Sequence, residues 1–143
     1  IFGSGAHSKL FNNVREKMSL CYYAYSRLDK YNSLMLVGSG IEFDKFEKTR
    51  DAVLHELECV KDGDFTDSEL DVAKEYIIGT NKSLEDNPSM LSDYYMGLRF
   101  TPDLLSLDEV SEKVKNVTRD DIKEAFSHIA LDTVYFLSGK EKN

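Results

Sequence analysis

Apolar residues in the first segment recur at offsets of three and four: Leu10, Phe11, Val14 and Met18, with Asn12, Arg15, Glu16 and Lys17 filling the other positions. That spacing predicts a helix from Ser8 to Met18. The period then changes. Residues 20–28, LCYYAYSRL, are rich in side chains that favour extended backbone. Leu20, Tyr22, Ala24 and Leu28 share one parity, and Cys21, Tyr23 and Tyr25 share the other. Both faces carry apolar side chains, so a central strand is expected. Residues 29–32, DKYN, read as a turn, and residues 33–41, SLMLVGSGI, as the next strand, with Gly38 and Gly40 weakening its end. A link this short predicts an antiparallel hairpin.

Helical spacing returns from Asp44 to Lys61, where Phe46, Val53, Leu57 and Val60, with Leu54 beside them, form an apolar side that Gly63 can cap. Thr66 with Glu69 is a capping box opening a second helix that turns Leu70, Ala73 and Ile77 inward. Asn87 followed by Pro88 opens a third, with Leu91, Tyr94, Tyr95 and Leu98 as its apolar side, and Thr101–Pro102 breaks it. Ser106 with Glu109 precedes Val110 and Val114, and Thr118 with Asp121 precedes Ile122, Ala125, Phe126 and Ile129. Residues 131–137, LDTVYFL, read as a closing strand. The expected class is α+β: a mostly antiparallel sheet packed against several helices, in one domain spanning 1–143. Three strands are few for so many helices. An open sheet edge predicts a strand supplied from before Ile1 or from another chain, and self-association through that edge.

The 143 residues carry 26 acidic and 18 basic side chains, a formal charge of −8. A chain this acidic lacks the basic footprint that nucleic acid requires. Hydrophobic residues make up 41%, enough for a core. No uncharged apolar run approaches the ~20 residues that span a bilayer. The first residue is Ile1 and no signal peptide is present, so a fragment or mature piece is expected. Cys21 and Cys59 lie in no CxxC and are expected as reduced thiols, which points to a cytoplasmic setting.

Catalytic chemistry is thinly represented. His7, His55 and His128 fall in three segments, and neither HExxH nor HxxEH occurs, so no metal site is expected in this chain. GxSxG is absent, Cys21 has no histidine near it in sequence, and the GSG of residues 3–5 lacks a Walker lysine. The most unusual patch is REKMSLCYYAY, residues 15–25. Arg15 ends a helix and Tyr22 sits on the following strand, where guanidinium and phenol could both donate to a bound carbonyl. The plainer alternative pairs Arg15 with Glu16 or another acid and buries Tyr22 in the core. A third reading adds an extended peptide to an open strand edge.

The stretch HSKLFNNVREKMSLCYYAYSRLD, residues 7–29, closely resembles the helix–strand segment of the pitrilysin-like (M16) zinc metallopeptidases. The matching positions are Gly3 and Gly5, then Ser8, Leu10 and Phe11, then Val14 to Lys17, then Leu20 and Tyr22. The later helices and closing strand agree in length and order. The resemblance implies the LuxS/MPP-like metallohydrolase fold, in part, as the later portion of a C-terminal non-catalytic domain without its first strands. It implies that zinc is held only in a catalytic domain elsewhere and that no cofactor is bound here. It also implies that Arg15 and Tyr22 contact a peptide substrate near that metal. Expected partners are the peptide and a catalytic domain or homologous subunit, with no nucleic acid and no membrane. The chain looks most like a bacterial branch of paired cytoplasmic proteins, one of each pair lacking the zinc motif. Two other readings stand beside this one: a structural or assembly domain of a proteolytically inactive member, and an unrelated peptide- or protein-interaction module.

Overall fold

The computed structural model describes residues 1–30, 32–100 and 104–139. Tyr31 of the DKYN turn and the Thr101–Pro102 break lie outside the described residues. The class is α+β, as expected: a two-stranded antiparallel sheet among the described residues, packed with helices.

The first helix spans Leu10–Lys17 and is wound as a π-helix, its last turn closed by the Met18 N–H on the Asn13 carbonyl at 3.0 Å. Leu10 and Val14 are fully buried, but Met18 is 43% exposed. The wider i→i+5 winding turns Met18 off the face that three-and-four spacing assigns it. Ser19 follows with φ +50° and reverses the chain into β1, Cys21–Asp29. Strand β2, Leu34–Ile41, pairs with it from Asp29 opposite Leu34 to Cys21 opposite Ile41. Gly38 and Gly40 do not end β2. They sit opposite Tyr25 and Tyr23, whose stacked rings lie so close that a Cβ on either glycine would come within 2.6 Å of a ring carbon.

Two expectations about the sheet need correction. Among the described residues β1 has one ladder partner, so it is not central. Its far edge is touched by the N-terminal segment, where the Ser26 N–H donates to the Gly3 carbonyl at 2.9 Å. Residues 131–137 form no ladder. An extended segment becomes a strand only when another backbone satisfies its polar groups. Here a ring contact holds the segment instead: Phe136 stacks on Phe46 at 4.4 Å and meets Phe43 at 5.6 Å.

A short 3₁₀ turn, Phe43–Lys45, leads into α1, Phe46–Asp62. Gly63 caps α1 at φ +79°, its N–H reaching the Cys59 and Val60 carbonyls. Helix α2, Asp67–Glu85, opens on the Thr66–Glu69 capping box. Helix α3, Pro88–Leu98, starts with Asn87 accepting from the Met90 N–H and Pro88 in its first turn. Capping boxes also open α4, Leu107–Lys115, and α5, Arg119–Ser127. The core joins Phe2, Leu10, Val14, Leu20, Ala24, Ala52, Leu57, Val60, Phe65 and Leu70. It therefore lies between the N-terminal segment, the π-helix, β1, α1 and the start of α2. Phe126 of α5 closes it with an edge-on contact to Phe2 at 6.0 Å. Ile77, Tyr95 and Ala125, expected inward, are exposed, since their helices have no neighbour on those sides among the described residues.

Candidate functional site

The end of the π-helix and the start of β1 meet the end of β2 in one corner of the molecule, and a shallow depression of about 360 Å³ opens there. Arg15, Ser19, Cys21, Tyr22, Glu42 and Lys45 are among the residues lining it. The register explains why Tyr22 faces it. Cys21 lies opposite Ile41 and Tyr23 opposite Gly40, so Tyr22 is an extra residue with no partner on β2. Such a bulge interrupts the ladder and re-aims the side chain of the inserted residue.

Arg15 supplies what the ladder cannot. Its Nε donates to the Tyr22 carbonyl at 2.8 Å. Its guanidinium lies 4.6 Å from the centre of the Phe11 ring, and its Nη1 is 3.0 Å from a Glu16 carboxylate oxygen. The planar fork is thus oriented by a ring, an acid and a backbone oxygen. The Tyr22 side chain does not fill the core: the residue is 67% exposed, and its hydroxyl donates to Glu42 Oε1 at 3.3 Å. The other oxygen of Glu42 is 2.9 Å from Lys45 Nζ. The Lys45 ammonium, by hydrogen bond and charge, holds the Glu42 carboxyl below its usual range, with the phenol adding a smaller pull. Glu42 in turn raises Lys45.

The structure thus brings Arg15 and Tyr22 together, as the sequence pattern expects. It combines elements of the two opposed readings, since Arg15 does pair with Glu16 while Tyr22 stays out of the core. The corner holds two cations, two carboxylates and a phenol, groups that can donate to and accept from a polar ligand. Glu42 and Lys45 were not singled out by sequence reading. Their three-residue spacing is visible in the chain, but their approach to Tyr22 depends on the hairpin register.

Among the described residues the side chains offer zinc no ligand set: no group of three or more His, Cys, Asp or Glu side chains converges. His7 is half-buried, its ring 4.9 Å from that of Tyr76, and burial first, then the nearby N-terminal charge, lowers its pKa. His55 Nε2 lies 3.6 Å from Cys59 Sγ on α1, and His128 caps α5. Burial, then Glu56 and Asp64, pushes the Cys59 thiol up, which keeps it protonated. Cys21 and Cys59 are both free. Among the described residues no helix is long and apolar enough to cross a membrane.

Residues 1–77 match the family model described as the peptidase M16 inactive domain. The chain is 39% identical to the probable inactive metalloprotease YmfF of Bacillus subtilis, over 99% of its own length and 33% of that protein. It is 27% identical to an uncharacterized zinc protease of Streptomyces coelicolor, over 85% of its length and 27% of that protein. Among solved structures, a conserved protein from Enterococcus faecalis superposes with a TM-score of 0.80 at 30% identity, covering 89% of this chain and 30% of the other. A protease from Helicobacter pylori shares the fold, with a TM-score of 0.75 at 20% identity over 88% of this chain and 31% of that one. The chain spans about a third of the length of the relatives it matches.

Proposed function

Because the chain belongs to the peptidase M16 family, as a copy of its inactive domain, we propose that it binds a peptide substrate and helps to close a chamber around it, while the cleaving chemistry resides in a catalytic domain or homologous subunit. In this reading Arg15 and Tyr22 are the substrate contacts, each donating to a peptide carbonyl. The observation that carries it is the bulge at Tyr22, which turns the phenol into the same depression as the Arg15 guanidinium. Zinc belongs to the catalytic partner and to no residue of this chain. The setting is a reducing cytoplasm, consistent with two unpaired thiols. The charge of −8 argues against nucleic acid as a partner.

The test is peptide binding by the full-length protein, with a fluorescein-labelled unstructured β-casein peptide followed by anisotropy. Tyr22→Phe and Arg15→Ala should each weaken binding by about three- to tenfold, the worth of one hydrogen bond at a partly exposed site. Unchanged affinity in both would sink the substrate role. A second reading, a structural or assembly domain of a proteolytically inactive protein, is favoured by the 39% identity to a probable inactive metalloprotease. Under that reading the same substitutions leave peptide binding untouched.

A further inference from the structure

The Tyr22 phenol carries one proton, and the structure has already committed it. The hydroxyl donates to Glu42 Oε1 at 3.3 Å, across a separation of 20 residues. Glu42 is held in place from its other side by Lys45, at 2.9 Å and three positions along the chain. The Lys45 end is fixed to the fold, since it closes the 3₁₀ turn in which its own N–H donates to the Glu42 carbonyl at 3.1 Å. A phenol can donate once, so a carbonyl that takes the Tyr22 proton must displace this carboxylate.

We propose that Glu42, anchored by Lys45, is a latch on the peptide-binding corner: it competes with the incoming peptide carbonyl for the Tyr22 hydroxyl and so sets the affinity of the site. This deepens the substrate-binding role proposed above and rests on it. Three features favour competition over mere support. The carboxylate is among the groups lining the same depression as the phenol. Tyr22 needs no help from Glu42 to reach its place, because the bulge and the Arg15 Nε bond already fix its backbone. An anion is also a stronger acceptor than a neutral amide oxygen, so the latch is closed without ligand. Lys45, the cationic half of the ion pair, is positioned to retain Glu42 once the phenol leaves.

The experiment is a double-mutant cycle in the full-length protein, with the same labelled casein peptide and near-UV circular dichroism as a check on folding. Glu42→Ala should tighten binding about threefold or more in the Tyr22-containing protein and change nothing in the Tyr22→Phe background. Glu42→Gln, which keeps an acceptor but loses the charge, should fall between. Weaker or unchanged binding on Glu42→Ala would overturn the latch, as would equal tightening with and without the phenol. The underlying reading fails differently: with the latch already removed by Glu42→Ala, adding Tyr22→Phe would then leave affinity unaltered, where a true substrate contact loses about three- to tenfold. A second readout needs no peptide. The ¹³Cζ resonance of Tyr22 in tyrosine-labelled protein should move on Glu42→Ala, and a stationary resonance would show that no phenol–carboxylate bond exists.

Discussion

At the scale of single residues, Arg15 does two jobs with one side chain. Its Nε bond to the Tyr22 carbonyl supports an interrupted ladder, and the rest of the fork faces the depression. Lysine keeps the charge but has no second nitrogen in a fixed plane, so it cannot hold the bulge and face the corner together. Arg15→Lys should therefore lower stability by about 1 kcal/mol, read from urea unfolding, and also weaken peptide binding. A variant that loses affinity at full stability would limit Arg15 to ligand contact. Arg15 with Tyr22 was legible in the sequence because residue type and spacing along a helix and strand carry the signal. The bulge was not, because a one-residue slip is decided by where β2 pairs. Glu56 was missed for a similar reason: it is buried, and accepts from Asn13 Nδ2 at 2.8 Å from a segment 43 residues away.

At the scale of elements, helix starts were the most readable part of the chain. A capping box is a contact between residues three apart, and its chemistry is independent of the rest of the fold. Thr66–Glu69, Ser106–Glu109 and Thr118–Asp121 all form as the pattern predicts. In Glu109 and Asp121 the bonds from the capping serine and threonine hold the carboxyl below its usual range. In Glu69 burial pushes upward, but bonds from Thr66 and the charge of Lys9 leave the net shift downward. Folded values below unfolded ones mean stability that is complete above the unfolded values, 4.5 for Glu and 3.8 for Asp, and lost as pH falls through the depressed ones. Helicity by circular dichroism should decline below about pH 4.5, and the Glu109→Gln, Asp121→Asn double variant should show a shallower acid decline. An identical acid profile would place the loss elsewhere.

The docking of α5 was not readable, since it depends on a long-range clamp. Arg119 donates to the Gly63 carbonyl at 2.6 Å and to the Phe65 carbonyl, pairs with Asp67 at 2.6 Å, and lies 4.7 Å over the Phe65 ring. One side chain thus ties the α1–α2 turn to α5. Arg119→Ala takes a donor from the Phe65 carbonyl and one of the two donors from the Gly63 carbonyl, which keeps the Phe65 N–H at 2.9 Å, and should cost about 2 kcal/mol, with earlier hydrogen exchange in α5 than in α1. Uniform exchange across both helices would show that α5 does not depend on the clamp.

For the whole molecule, the surface matters more than the core. The hairpin exposes Tyr23, Tyr25, Leu28, Leu34 and Leu36, and the unpaired segment near the end exposes Leu131, Tyr135 and Leu137. Exposed apolar side chains on a sheet with an open edge favour pairing with other protein. The relatives are about three times as long as this chain, which is where such a covering would come from. The 143-residue chain by itself should self-associate, more strongly as salt screens the charge of −8. A monomer by sedimentation at micromolar concentration, in low and high salt alike, would contradict this. The α+β class could be read from periodicity, whereas the closing strand could not, because periodicity identifies extended backbone without supplying the neighbour that makes it a strand.

Six residues separate Arg15 from Tyr22, and they run through the last turn of a wide helix, Ser19 at φ +50° and the deeply seated Leu20. The path behaves as a ruler of fixed length. Lys17 and Met18 lie at the surface and should tolerate exchange. Deleting or adding one residue anywhere between the two would swing the phenol to the opposite side of the strand, so at this corner chain length, more than side-chain identity, is what natural variation must leave alone.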